Sequence, residues 1–125
     1  MKRKEEREFI YRMFNGHCAY CGCEITTKQM QVDHKDPIYR DVPLDADIYK
    51  RGKDVLGNKF PSCAKCNNYK TVWTIEQFRH ELSMQVERAR KTSSNYRMAL
   101  RYNQIKETPQ PIVFYFEQYG KYPNQ

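Results

Sequence analysis

CAYCGCEITTKQMQVDHKDP, residues 18–37, opens on Cys18 and Cys21 and closes on Asp33, His34 and Pro37. A second pair, Cys63 and Cys66, stands in CAKCNNYK, residues 63–70. Two residues between cysteines let both sulfurs turn onto one ion, and two such pairs make a tetrahedral four-cysteine zinc set. Redox chemistry of the thioredoxin kind needs one such pair and a βαβ setting, and neither fits here. The 41 residues between Cys21 and Cys63 exceed the insert of a plain zinc ribbon. The expected ion therefore clips together the ends of a long insert. Cys23 is a bystander or a substitute for Cys21, and His17 is a lower-ranked competitor.

The chain outside these pairs supports a metal-stapled domain. Its 125 residues suit one domain, with 39% hydrophobic residues, many of them among the 10 amphipathic tyrosines. So modest a core benefits from a metal staple. Five cysteines in paired spacing argue against a secreted disulfide framework and suit a reducing cytosol. MKRKEEREF at the start lacks an apolar run, so no signal peptide is expected. No stretch is long and apolar enough to span a membrane, and a cytoplasmic setting in a bacterial or phage-infected cell is expected. The net charge of +7 is uneven: residues 59–106 hold ten Lys/Arg against three Glu. A basic segment laced with Tyr and Asn points to a polyanion, most simply nucleic acid. Arg79, Arg88, Arg90, Lys91, Arg97 and Arg101 are its candidate contacts.

Local patterns place the elements. Residues 3–14 predict a helix with Phe9, Ile10, Met13 and Phe14 as its apolar stripe, stopped by Asn15-Gly16. Gly22 supplies backbone freedom where the chain turns around the ion. Residues 30–34 and 58–62 read as short strands, and a helix runs from about Cys63 to Lys70. Residues 35–57 show no period, and a loop that long is usually functional. Thr74 to Gln77 fit a capping box, followed by a helix to about Lys91. Ser93-Ser94-Asn95 start another. IVFYF, residues 112–116, predicts a strand by its β-branched and aromatic content.

A zinc clip has no need of Asp33-His34. Side chains alternate along a strand, but a bend at the strand end lets both serve one site. Asp33 offers a hard oxygen for Mg2+ or Mn2+, and His34 takes a proton near neutral pH. Asn67, fixed by its place after Cys66, offers a second hard oxygen. Asn68 next to it and Asp36 are alternative ligands.

The order CAYCG, VDHKDP, GNKFPSC and CAKCNNYK resembles the HNH endonuclease family, whose core is a ββα-metal unit. The likeness covers residues 18–70. It implies that His34 is the general base, that Asp33 and Asn67 hold one catalytic Mg2+ or Mn2+, and that Asn58 orients the histidine through hydrogen bonding. It further implies that Lys70 contacts phosphate and that Cys18, Cys21, Cys63 and Cys66 hold structural Zn2+. Asn67 stands where many members have His. The expected fold is α+β, a small ββα-metal core with flanking N- and C-terminal helices and a C-terminal strand. One domain is expected over residues 1–125, with a core at 17–72 and a helical extension at 73–125. The implied activity is phosphodiester hydrolysis in DNA, with weak sequence preference or targeting by a protein partner. The rival readings are a zinc-stapled nucleic-acid-binding module without catalysis and a structural protein such as a phage assembly factor.

Overall fold

The computed structural model describes residues 1–48 and 50–120; Tyr49 in the expected loop and residues 121–125 of the expected extension lie outside these. Two compact units form, one from Met1–Ile75 with Val113 onward, the other from Glu76–Ile112.

The first unit begins with α1, Arg3–Arg12. Glu5 and Glu6 in its first turn and Arg12 in its last complement the helix dipole. The chain leaves α1 through left-handed Asn15 and Gly16, at φ of 52° and 79°, the backbone region that Asn and Gly tolerate best. Ile10 is buried, but Phe9 of the expected stripe is exposed. Met13 of that stripe, and Tyr11 outside it, pack against the buried cluster of Ile10, Ile25 and Met30. Tyr11 also ties α1 to the following segment by donating its hydroxyl to the Ile25 carbonyl at 2.9 Å.

Strand β1, Gln31–His34, pairs antiparallel with β2, Lys59–Ser62, with Val32 opposite Pro61 and Asp33 opposite Phe60. A single 3-10 turn at Leu56–Asn58 feeds β2. Helix α2, Ala64–Lys70, follows directly. The order β1, β2, α2 is the expected ββα unit, and the class is α+β as expected. The two strands lie on opposite sides of the long loop, whose described residues form only turns and bends before the 3-10 turn.

The expected C-terminal strand does not form. Residues 111–114 are irregular, and Tyr115–Gln118 make a short helix, α6 among the helices in chain order. Its first N–H groups are already committed: Tyr115 N donates to Tyr20 O at 3.0 Å and Phe116 N to Ala19 O at 2.8 Å. Phe114 and Phe116 thereby stack on each other and meet Tyr20 and Phe60 edge-on or tilted. The aromatic content that suggests a strand serves this ring cluster.

The second unit holds most of α3, Ile75–Ser83, then α4, Gln85–Thr92, and α5, Ser94–Arg101. The sequence predicts one helix to about Lys91, and the chain breaks it at Met84. Ser83 Oγ donates to His80 O at 2.6 Å and Gln85 Nε2 to Glu81 O at 2.8 Å. Polar side chains that bond nearby carbonyls compete with the helix ladder at such a break. Helix α5 starts where expected, with Ser93 accepting from Tyr96 N at 3.0 Å.

Candidate metal centre and active site

The sulfurs of Cys18, Cys21, Cys63 and Cys66 lie within 4.8 Å of one another. A tetrahedron of Zn–S bonds of about 2.3 Å has S···S edges of about 3.8 Å, and Cys21 and Cys63 stand 3.9 Å apart. Two backbone turns present these sulfurs. In the first, Gly22 at φ 79° reverses the chain, and Gly22 N donates to Cys18 O at 3.0 Å. In the second, Cys63 caps α2, its sulfur accepting from Cys66 N at 3.4 Å. Tyr20 N likewise points at Cys18 Sγ, at 3.4 Å. N–H groups aimed at sulfur favour thiolates.

The thiols show why a cation fits. The Cys66 thiol donates to Cys18 and, with further backbone donors, holds Cys18 down to about 4. Cys66 is pushed up, first by giving that hydrogen bond and then by burial. Burial also raises Cys21. Four crowded sulfurs without a counter-charge favour one thiolate and disfavour the rest, whereas a dication lets all four ionise. Cys23, also raised, to about 12 by burial and its thiol neighbours, stands outside this set of four. All five are free of disulfides. The cluster fits zinc.

Beyond the cluster, β1 and α2 face each other. Gln31 and Asp33 share one face of the strand, as alternation requires. Asn67 and Lys70, three apart on α2, meet them: Asn67 Nδ2 donates to Gln31 Oε1 at 2.6 Å, and Lys70 Nζ lies 3.1 Å from Asp33 Oδ2. A cleft of about 410 Å3 at the strand end is lined by Asp33, His34 and Asn67 together, with residues Pro37 to Val42 and Thr71-Val72.

Residues 18–72 match the HNH endonuclease family model. That stretch is similar to an HNH endonuclease domain. No curated protein matches the chain. Among solved structures, the Type II-C Cas9 enzyme from Actinomyces naeslundii is similar over 62% of this chain, at 21% identity and a TM-score of 0.50. The match spans 7% of that enzyme's chain, and at such identity the likeness is one of fold.

Inside the matched stretch, Asp33 is 6% exposed and carries two partners on Oδ2: Lys70 and the hydroxyl of Tyr20. This leaves Oδ1 as the oxygen available to a cation. Burial first, and the Asp33 charge second, push the Tyr20 phenol far up, so it remains a donor. Asn67 spends its amide N–H on Gln31, which leaves its Oδ1 as a second hard donor. The donor set Asp33 and Asn67 therefore suits Mg2+ or Mn2+ in its chemistry.

Lys70 is wholly buried. Its ammonium binds Asp33 and the His34 carbonyl, the latter at 2.9 Å. It presents no free charge to a phosphate, and its place is behind the site. Asn58 does not bond the His34 ring. Its Nδ2 donates to Asp36 O at 2.9 Å and Lys53 O at 3.0 Å, and its Oδ1 accepts from Asp36 N at 3.0 Å. It thus closes both ends of the long loop just after His34. Asp36, held by its backbone, is part of that closure.

The partner of the His34 ring is Asp54, whose Oδ1 lies 2.9 Å from Nε2. That hydrogen bond, followed by one from Lys59, holds Asp54 below the usual carboxylate range. An ionised carboxylate only accepts, so the His34 Nε2–H is the donor to it. Lys59 continues the chain, 3.3 Å from Asp54 and paired with Glu6 of α1. The sequence offers no signal for Asp54, one of several acids in a stretch without period. Tyr20 and Gln31 are equally unmarked, one inside a CxxC turn and the other a polar strand residue.

Proposed function

We propose that this chain is an endonuclease that hydrolyses phosphodiester bonds in DNA, with His34 as general base. The observation that carries the reading is the single cleft shared by Asp33, His34 and Asn67, within a stretch that matches the HNH endonuclease family.

His34 Nδ1 takes a proton from a water, whose oxygen attacks phosphorus as the bond to the 3′ oxygen breaks. The departing oxygen gains a proton from solvent, leaving 5′-phosphate and 3′-hydroxyl ends. Asp54 holds the imidazole in the tautomer that exposes Nδ1 and stabilises the imidazolium that forms. A Mg2+ or Mn2+ ion held by Asp33 and Asn67 would neutralise the charge that builds on the leaving oxygen. Tyr20 and Lys70 hold the Asp33 carboxylate in place. Asn58 acts through the backbone, fixing the chain that leaves His34.

Plasmid nicking with Mg2+ or Mn2+ tests the reading. Wild type is expected to cut, and His34→Ala to fall by about 10²–10⁴-fold, the usual worth of a general base. Equal cutting by both proteins removes His34 from the role. DNA binding without cutting under any divalent ion favours the zinc-stapled binding module.

A further inference from the structure

A second cleft of about 620 Å3 opens beside His34 and Asp54, lined also by Arg3, Glu6, Arg7, Arg40 and Lys59. Its charges are mostly committed. Lys59 is paired with Glu6 and Asp54. Arg7 donates to the carbonyls of Thr27 at 2.5 Å and Met30 at 2.6 Å. Asp54 also takes the His34 ring. Arg40 is exposed and has no hydrogen bond or ion pair to any described residue. It also lines the cleft of Asp33 and Asn67. An uncommitted guanidinium therefore borders both the base side and the hard-oxygen side of His34.

The loop that carries Arg40 is built to hold it. Arg51 gathers the loop around its own guanidinium, donating to Val42 O at 3.2 Å and Pro43 O at 2.9 Å. Tyr39 sits in left-handed backbone at φ 50°, with its hydroxyl on Val72 O at 3.1 Å. A non-glycine residue in that region costs free energy, which the surrounding bonds must offset. The fold spends these contacts to present a side chain that no described protein group uses.

We infer that Arg40 is a phosphate-binding residue, gripping the backbone of a nucleic-acid strand laid across the His34 cleft. A guanidinium suits this role because its fork meets phosphate oxygens in pairs. The assignment rests on the nuclease reading for its substrate, DNA. It differs from the expectation of the sequence, which places the grip in residues 59–106.

The test is binding of the zinc-loaded full chain to duplex DNA without added Mg2+ or Mn2+, followed by fluorescence anisotropy across a salt series. Arg40→Gln is expected to weaken binding and to flatten the slope of log K against log salt by about 0.9, the share of one phosphate. Arg40→Lys should keep the slope and lose part of the affinity. Lys28→Gln, which removes the same charge from an exposed position lining neither cleft, should change the slope less than Arg40→Gln. Zinc content and the far-ultraviolet spectrum confirm that each variant folds; should Arg40→Gln not fold, Arg40→Ala is read the same way. A slope unchanged in Arg40→Gln, or lowered equally by Lys28→Gln, overturns the assignment. Because no cutting occurs in this assay, it can fail while His34 proves catalytic, and it can succeed in a protein that never cuts.

Discussion

A lysine ammonium taken out of water costs several kcal/mol unless a fixed anion meets it, and Lys70 is in that position with 0% exposure. Asp33 and the His34 carbonyl meet it. Removing one partner of such a pair strands the other. Lys70→Met is therefore expected to destabilise the zinc-loaded protein by about 3–5 kcal/mol in urea unfolding. A loss below about 1 kcal/mol would show that the pair is not what holds α2 to β1. Asp54 presents the opposite case. It is 56% exposed at the side chain, and exposed pairs contribute about 0–1 kcal/mol. Asp54→Ala should leave the unfolding midpoint nearly unchanged yet lower nicking about 10–100-fold, the scale on which a hydrogen-bonded carboxylate that orients a functional imidazole acts at metal sites. Undiminished nicking would take Asp54 out of the mechanism.

At the scale of elements, the long loop matters more than its lack of pattern suggests. Gly52 sits where the Asn58 clamp crosses the loop, with its N–H on Pro37 O at 2.9 Å. A Cβ there would stand 2.0 Å from Asp36 O and 2.5 Å from Asn58 Nδ2. Gly52→Ala must break that clamp or move the strand exit, at about 1–3 kcal/mol for overpacking. The melting temperature should fall and nicking should fall with it, whereas an unchanged melt would mean the loop yields freely. What was legible in the sequence follows the same physics. The cysteines and the Asp-His pair declared themselves because metal chemistry fixes their types and spacing. The ββα order was readable from the two short strand patterns and the helix that follows from about Cys63. Asp54 and Gly52 were not readable, because a loop without period gives no register from which to infer partners. The expected strand at residues 112–116 failed for a related reason. Aromatic content reports burial of rings, and here Tyr20 and Phe60 supply the burial without a strand partner.

Across the whole molecule, two features are long-range in kind: charge in the second unit and the sulfur cluster in the first. The basic residues of the second unit are largely paired locally, Arg88 with Glu81, Arg90 with Glu107 and Lys91 with Glu87. Their count alone thus overstates the free positive charge. The cluster acts differently, because Cys21 and Cys63 have 41 residues between them in sequence and are 3.9 Å apart in space. Holding them together removes loop-closure entropy from the unfolded chain, worth about 4 kcal/mol for a loop of this length. Beside it, Ile10, Ile25 and Met30 form a buried cluster against which Cys63 packs. Cys63→Ser, or chelation of zinc from the wild type, is therefore expected to unfold the first unit. Loss of β1–β2 amide protection in hydrogen exchange should accompany loss of the metal. The cysteine substitution and the chelator should give the same spectrum, since both remove one constraint. His34→Ala, which touches no sulfur, should keep both zinc and protection. A metal-free Cys63→Ser protein that retains the protection pattern of the wild type would mean the two strands close without the clip, and the ion would then be a passenger on the fold.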